Sequence, residues 1–140
     1  MTIGLEVKIL RALTDHLDTF ATNNSLTIAK PGLPFAPTNG TGYLRAYIMP
    51  SMTESMDITG LINEYRGVFQ VNVFHPEGAG IMLPYEVAAA LCEHFTTGTQ
   101  VTHEATTFTI LQPPHIGPCI EEPGWVMLPV SIRYRAFLTP

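Results

Sequence analysis

The sequence predicts an α+β domain, a mainly antiparallel sheet with two helices packed on one face. Three observations carry this. Two stretches space their apolar residues three and four apart, as helices do, and several others alternate apolar and polar residues with the period of a strand. The order is helix, strands, helix, strands, so consecutive strands follow one another without an intervening helix, which favours antiparallel pairing over parallel crossover units. The clean alternation also fits a sheet covered on one side and exposed on the other.

The first helix spans residues 3–20, where Leu5, Ile9, Leu13, Leu17 and Phe20 share a face and Arg11 and Asp15 are spaced to pair on the wet side. Thr22-Asn23-Asn24-Ser25 stops it, because these side chains compete for the backbone. Leu26 to Ala29 reads as a short strand, and the prolines and glycines from Pro31 to Gly42 forbid a helix beyond it. Tyr43 to Pro50 alternates, with Leu44, Ala46 and Ile48 on one side and Tyr43, Arg45 and Tyr47 on the other. Residues 51–63 read as a loop with a helical turn. Tyr65 to Phe74 is the clearest strand. Gly78-Ala79-Gly80 then reads as a turn that needs positive φ, and Pro84 fits the first turn of a second helix. Val87, Ala88, Leu91, Cys92 and Phe95 line that helix, and Gly98 is placed to close it in a left-handed conformation. Thr99 to Gln112 is β-branched and reads as one strand or two short ones. Residues 113–124 hold four prolines and read as a rigid exposed loop. Trp125 to Phe137 is a long final strand, in which Pro129 points to an edge position or a bulge. There is no internal repeat and no change of composition, so residues 1–140 are read as one domain.

Composition narrows the function. The chain has 140 residues, 46% apolar, enough for a core without disulfide or metal staples. The longest aliphatic run, Val87 to Cys92, falls far short of a membrane span. The start MTIGLEVKIL has no basic lead or long apolar core, so a cytoplasmic site of synthesis and folding is expected. Cys92 and Cys119 form no close pair and are expected as reduced thiols. Twelve acidic and seven basic residues give a net charge of −5, with no run of Lys or Arg, which argues against tight DNA binding by a monomer. Only 14% of residues are charged, against about 25% in ordinary soluble domains. Two readings of that deficit stand: an oligomer interface covers part of the surface, or a Thr-rich monomer surface does.

No catalytic constellation emerges. His16, His75, His94, His103 and His115 do not form the paired spacing of a zinc helix, and Cys92 and His94 point in different directions on theirs. The serines lie outside any nucleophile elbow, and nothing basic near Cys119 in sequence lowers its pKa. Gly78 and Gly80 lack the third small residue of a dinucleotide fingerprint and the Lys-Ser/Thr of a phosphate loop. No cofactor and no metal is expected. Arg45, Arg66, Arg133 and Arg135 all fall on the polar sides of their strands. If those strands are neighbours, one sheet face carries several guanidiniums, which either meet acidic surfaces of neighbouring subunits, line a channel, or simply blunt aggregation as solvated strand residues.

The block Tyr65-Arg66-Gly67-Val68-Phe69-Gln70-Val71-Asn72-Val73, followed by Gly78-Ala79-Gly80 and then Ala88, Phe95, Gly98 and Thr99, resembles the tail terminator (tail completion) proteins of long-tailed bacteriophages. The shared pattern is an aromatic-Arg-Gly turn into a Gln-bearing strand, a Gly-rich turn, a helix and a Gly-Thr close. It is specific over residues 65–99, and order and size agree over most of the chain.

The resemblance implies a structural virion protein with no catalytic residues. It implies copies of the chain assembled as a hexameric ring on the head-proximal end of the tail tube. Such a ring ends polymerisation of the tail tube protein, docks to head-completion (connector) proteins, and passes DNA through its lumen without specific binding. No membrane partner is implied. Met49, Met52, Met56, Ile116 and Trp125 are candidates for buried contacts to neighbours, because Met and Trp adapt well to interfaces; packing under their own loops is the alternative for each. Another head–tail joining or minor tail component, a small α+β ligand-binding domain or enzyme, and a lone interaction module are the competing readings.

Overall fold

The longest alternating runs form the spine of the sheet. In the computed structural model, which describes residues 5–24, 26–29, 42–50, 54–55, 63–78, 80–103 and 106–138, Asn63–Pro76 and Trp125–Leu138 pair antiparallel from one end to the other. In chain order the elements are α1 (Leu5–Asn23), β1 (Thr27–Ala29), β2 (Tyr43–Pro50), β3 (Glu54–Ser55), β4 (Asn63–Pro76), α2 (Met82–His94), β5 (Gln100–His103), β6 (Thr106–Ile110), β7 (His115–Ile116), β8 (Ile120–Glu122) and β9 (Trp125–Leu138). The sheet runs β1-β2-β4-β9-β6-β5, with β3 on β4 and β7 and β8 on β9. Every pair is antiparallel except β1 with β2. The predicted α+β class holds.

Register explains which residues meet the helices. Leu44, Ala46 and Ile48 stand opposite Val73, Val71 and Phe69, which stand in turn opposite Leu128, Val130 and Ile132. These rows, with Phe108 and Ile110 of β6, form one apolar face. From α1 it takes Ile9, Leu13, Leu17 and Phe20, and from α2 Ala88, Leu91 and Phe95. Each large side chain buried this way contributes about 1.5–3 kcal/mol. Both helices therefore lie on one side of the sheet, and the alternate residues of the same strands, Tyr43, Arg45 and Tyr47 among them, point to the other.

Helix ends follow local chemistry. α1 extends to Asn23, where the Asn24 side chain donates Nδ2–H to the Phe20 carbonyl at 2.9 Å beside its own backbone N–H at 3.1 Å. Pro84 is the third residue of α2, among the N–H groups that have no helical partner in any case, and its ring is buried. Gly78 and Gly80 do adopt positive φ, 97° and 80°.

Several expectations change. Gly98 has φ 87°, yet α2 already ends at His94, and the Gly98 N–H bonds to the Ile110 carbonyl at 3.0 Å, tying the turn to β6 rather than capping the helix. Gly67 does not make a turn; it lies inside β4, opposite Tyr134. Residues 113–124, read as a rigid exposed loop, are largely exposed but hold two short strands. They fold along β9 as β7 and β8, and Pro123-Gly124 turns the chain back into β9. Of the segment read as a loop with a helical turn, residues 54–55 pair with β4 as a strand. Pro129 sits in the middle of a central strand rather than at an edge. Its carbonyl accepts from Gly117 N at 2.8 Å, so its side of the backbone faces the gap between β7 and β8. The missing N–H thus falls where the neighbouring strand is interrupted, and the ladder to β4 is intact.

Candidate functional site

The sheet face away from the helices brings the arginines together. β2, β4 and β9 lie side by side, so Arg45 aligns with Asn72 and Pro129, Arg133 with Val68 and Met49, and Arg66 directly with Arg135. Arg66 and Arg133 are exposed; Arg45 and Arg135 are half-buried. From Tyr43 to Met49, Arg66 to Phe74 and Met127 to Arg135, the three strands carry no carboxylate. Tyr47 and Met49 stand out of this face at 42% and 47% exposure.

At the other end of the same face is an aromatic cluster. Tyr43 stacks on Phe74 (centroids 4.6 Å apart, 4° between planes), and Trp125 meets Tyr43 edge-on at 5.2 Å. Between the two ends Gln70 Nε2–H donates to Asn72 Oδ1 at 2.9 Å, which gives the buried Asn72 side chain a partner. The face thus carries the aromatic cluster with Arg45 at one end and Arg66, Arg133 and Arg135 at the other.

Of the candidate contact residues, Met49 is exposed on this face and Trp125 belongs to its aromatic end. Ile116 lies in register with Val130 and packs against the core, so the domain itself takes up much of that side chain. Met52 and Met56 lie outside the described residues.

A second outward surface was not singled out by spacing. Ile81, Met82 and Leu83, at the start of α2, are 44%, 71% and 50% exposed, with Tyr85 beside them. Met82, Glu86, Ala89 and Glu93 follow one another along the exposed side of the helix. Their signal was an apolar run before a proline, which reads equally well as a helix start. Residues 67–132 contain six acidic residues and no Lys or Arg, so every Lys and Arg of the chain lies outside the segment that includes α2.

The helices are joined by a pair of histidines that sequence spacing could not reveal. His16 Nε2–H donates to the His94 carbonyl at 2.9 Å, and His94 Nε2–H donates to the His16 carbonyl at 2.6 Å. A carbonyl only accepts, so both rings carry the proton on Nε2. The rings stack with centroids 3.9 Å apart, and Phe95 closes the edge of His16 at 4.8 Å. Burial pushes the His16 pKa below the ordinary 6.5; the backbone hydrogen bond opposes this and the neighbouring His94 adds to it. Because the unfolded chain then binds the proton more readily, His16 lowers stability as pH falls from above 6.5 toward its depressed folded value. His16→Gln is therefore expected to flatten the acid side of the melting-temperature profile relative to the parent chain. Parallel profiles for the two would remove His16 from that role.

Cys92 is half-buried against the core, and burial raises its thiol pKa, which suits packing better than nucleophilic attack. Among the described residues no group of three His, Cys, Asp or Glu side chains gathers as for a metal ion. The described helices include none long and apolar enough to cross a membrane. The geometry on view is that of surfaces which other proteins can cover.

An α+β domain with several arginines on one sheet face and an exposed apolar–acidic helix start is the class defined so far. Residues 8–134 match the model of a family described as phage tail terminator protein, and the chain belongs to that family. It is accordingly a structural protein of the phage tail. The chain also resembles a solved structure at 31% identity, with 98% of this chain and 99% of the other covered and a TM-score of 0.80. No curated protein matches it.

Proposed function

We propose that the protein closes the head-proximal end of a phage tail tube as a ring of six copies, stops growth of the tube and offers its outer side to head-completion proteins. The match to the tail terminator family over residues 8–134 carries this reading. The physical features agree with it. A 14% charged fraction suits a subunit that covers much of its surface with neighbours. A net charge of −5 per copy suits a lumen through which DNA slides rather than sticks. The ring works by covering surfaces and makes or breaks no bonds, and it assembles in the host cytoplasm before joining the virion.

The test is direct. Tail tube protein of the same phage, polymerised with and without this chain, is expected to give tubes of arrested length with a ring at one end in electron micrographs. Tubes that grow unchanged and carry no extra density at either end would overturn the proposal.

A further inference from the structure

We infer that His16 and His94 form an acid-release clasp: the pair holds α1 against the end of α2 while it carries at most one proton, and frees α1 once both rings are charged, whether or not the copies form a ring.

The two hydrogen bonds run in opposite directions, so each helix supplies one donor and one acceptor. His94 is the last residue of α2, and its carbonyl is one of the four that helical bonding leaves without a partner. With Nε2 of each ring donating, the open site on each is Nδ1. A first proton adds there without breaking either bond, and the ring that takes it becomes the stronger donor. A second proton has the opposite effect. It puts two positive rings face to face, with centroids 3.9 Å apart and 18° between their planes, in a half-buried setting. Unit charges at that separation repel by more than either hydrogen bond contributes.

The surroundings do not relieve this. Phe95 and Phe108 meet the His16 ring, and Phe20 and Phe95 meet that of His94. Among the described residues neither ring has a carboxylate partner. One turn away, Ala12, Leu13, Thr19 and Phe20 on α1 and Ala90 and Leu91 on α2 carry no charge. Asp15 and Glu93, adjacent in sequence to the two histidines, are exposed. Of the strands packed against α1, β1 has no titratable residue, and β5 and β6 have only His103. Under α2, Tyr65, His75 and Tyr134 share the helix side of β4 and β9, and His115 of β7 is exposed. His75 precedes the start of α2, whose length sets it about 18 Å from His94. Burial holds the His16 pKa below 6.5, and the His94 ring lowers it further against the backbone hydrogen bond, which raises it. The released segment therefore binds the second proton more readily than the closed clasp, and closure is lost as pH falls below 6.5 toward the depressed value. α1 packs on β5, β6 and β1, so its release leaves the β4–β9 spine paired.

The experiment follows hydrogen–deuterium exchange of the full-length chain by mass spectrometry over about pH 4–8. Exchange of the imidazole C2 hydrogen reads the charge of each histidine. Amide exchange, corrected for its intrinsic pH dependence, reads protection of α1 separately from that of β4 and β9. In the wild type α1 is expected to lose protection by at least about tenfold as the second ring charges, while β4 and β9 keep theirs. His94→Gln retains a donor for the His16 carbonyl but takes no proton. In it His16 is expected to titrate at higher pH than in the wild type, and α1 to stay protected afterwards. His16→Gln should likewise keep α1 protected, and His103→Gln should behave as the wild type. Circular dichroism at neutral pH checks that each chain folds.

Wild-type α1 that keeps its protection after both rings charge overturns the inference. So does a loss that β4 and β9 share, which is global unfolding. Release of α1 in His94→Gln at the wild-type pH removes the pair from the role, and loss of the effect in His103→Gln alone transfers it to another imidazole; either outcome also overturns the clasp. Should the Gln variants fail to fold, the two wild-type criteria decide.

Discussion

Phe95→Ala is expected to destabilise the domain by about 3–5 kcal/mol, the range for removing a fully enclosed aromatic ring. Phe95 has no exposure, packs its ring against Phe69 (centroids 6.1 Å apart) and meets His16 edge-on. It directly follows α2 as its C-cap, and its N–H still reaches the Leu91 carbonyl at 3.1 Å. The residue therefore holds the end of α2, α1 and the sheet at one point, and the cavity left by alanine cannot be closed by any one of them. Chemical denaturation should show a lower midpoint with an unchanged slope. Phe95→Leu keeps most of the volume and should cost much less. Equal losses for the two substitutions would mean that the volume of the ring is not what matters there.

Gly67→Val is expected to cost about 3 kcal/mol, near the top of the range for inserting atoms into a packed position. A Cβ at Gly67 would lie 2.5 Å from the Tyr134 hydroxyl oxygen and 2.7 Å from the Met49 carbonyl. The tyrosine can swing aside at some loss of packing. The carbonyl belongs to the backbone of β2, so relief on that side requires separating β2 from β4. Adding Tyr134→Phe to Gly67→Val should therefore recover only part of the lost stability. Full recovery would place the whole conflict at the hydroxyl, and a variant as stable as the parent would show that β2 yields freely.

Much of the fold was legible because it is written in local periods. The stripe Ile9-Leu13-Leu17-Phe20 and the alternation in Tyr65–Phe74 and Trp125–Phe137 each report which side meets the core, whatever the partner. Partner choice is not local. Nothing in His115-Ile116 or Ile120 to Glu122 states that these residues pair with β9, and prolines normally argue for a loop. Pro129 was misplaced for the same reason: its tolerance in a central strand depends on a break in β7–β8 that only the assembled sheet reveals. The arginine face was half legible. Side was given by alternation, whereas the alignment of Arg66 with Arg135 depends on register. His16 and His94 are 78 positions apart and were unreadable as a pair. The exposed start of α2 was visible as apolar residues but not as a surface, since exposure depends on what the rest of the chain fails to cover.

The position of β9 has a consequence for how the protein is made. It lies between β4 and the strands β6, β7 and β8, so the two halves of the sheet share no strand until it is in place. Chains emerge from the ribosome N-terminus first, and β9 is the last of these elements to appear. In a nascent or prematurely terminated product the two parts of the sheet have no strand-to-strand hydrogen bonds between them, and the arginines contributed by β9 are missing. A copy that stops short of β9 thus leaves backbone donors and acceptors along β4 and β6 that the full-length chain pairs.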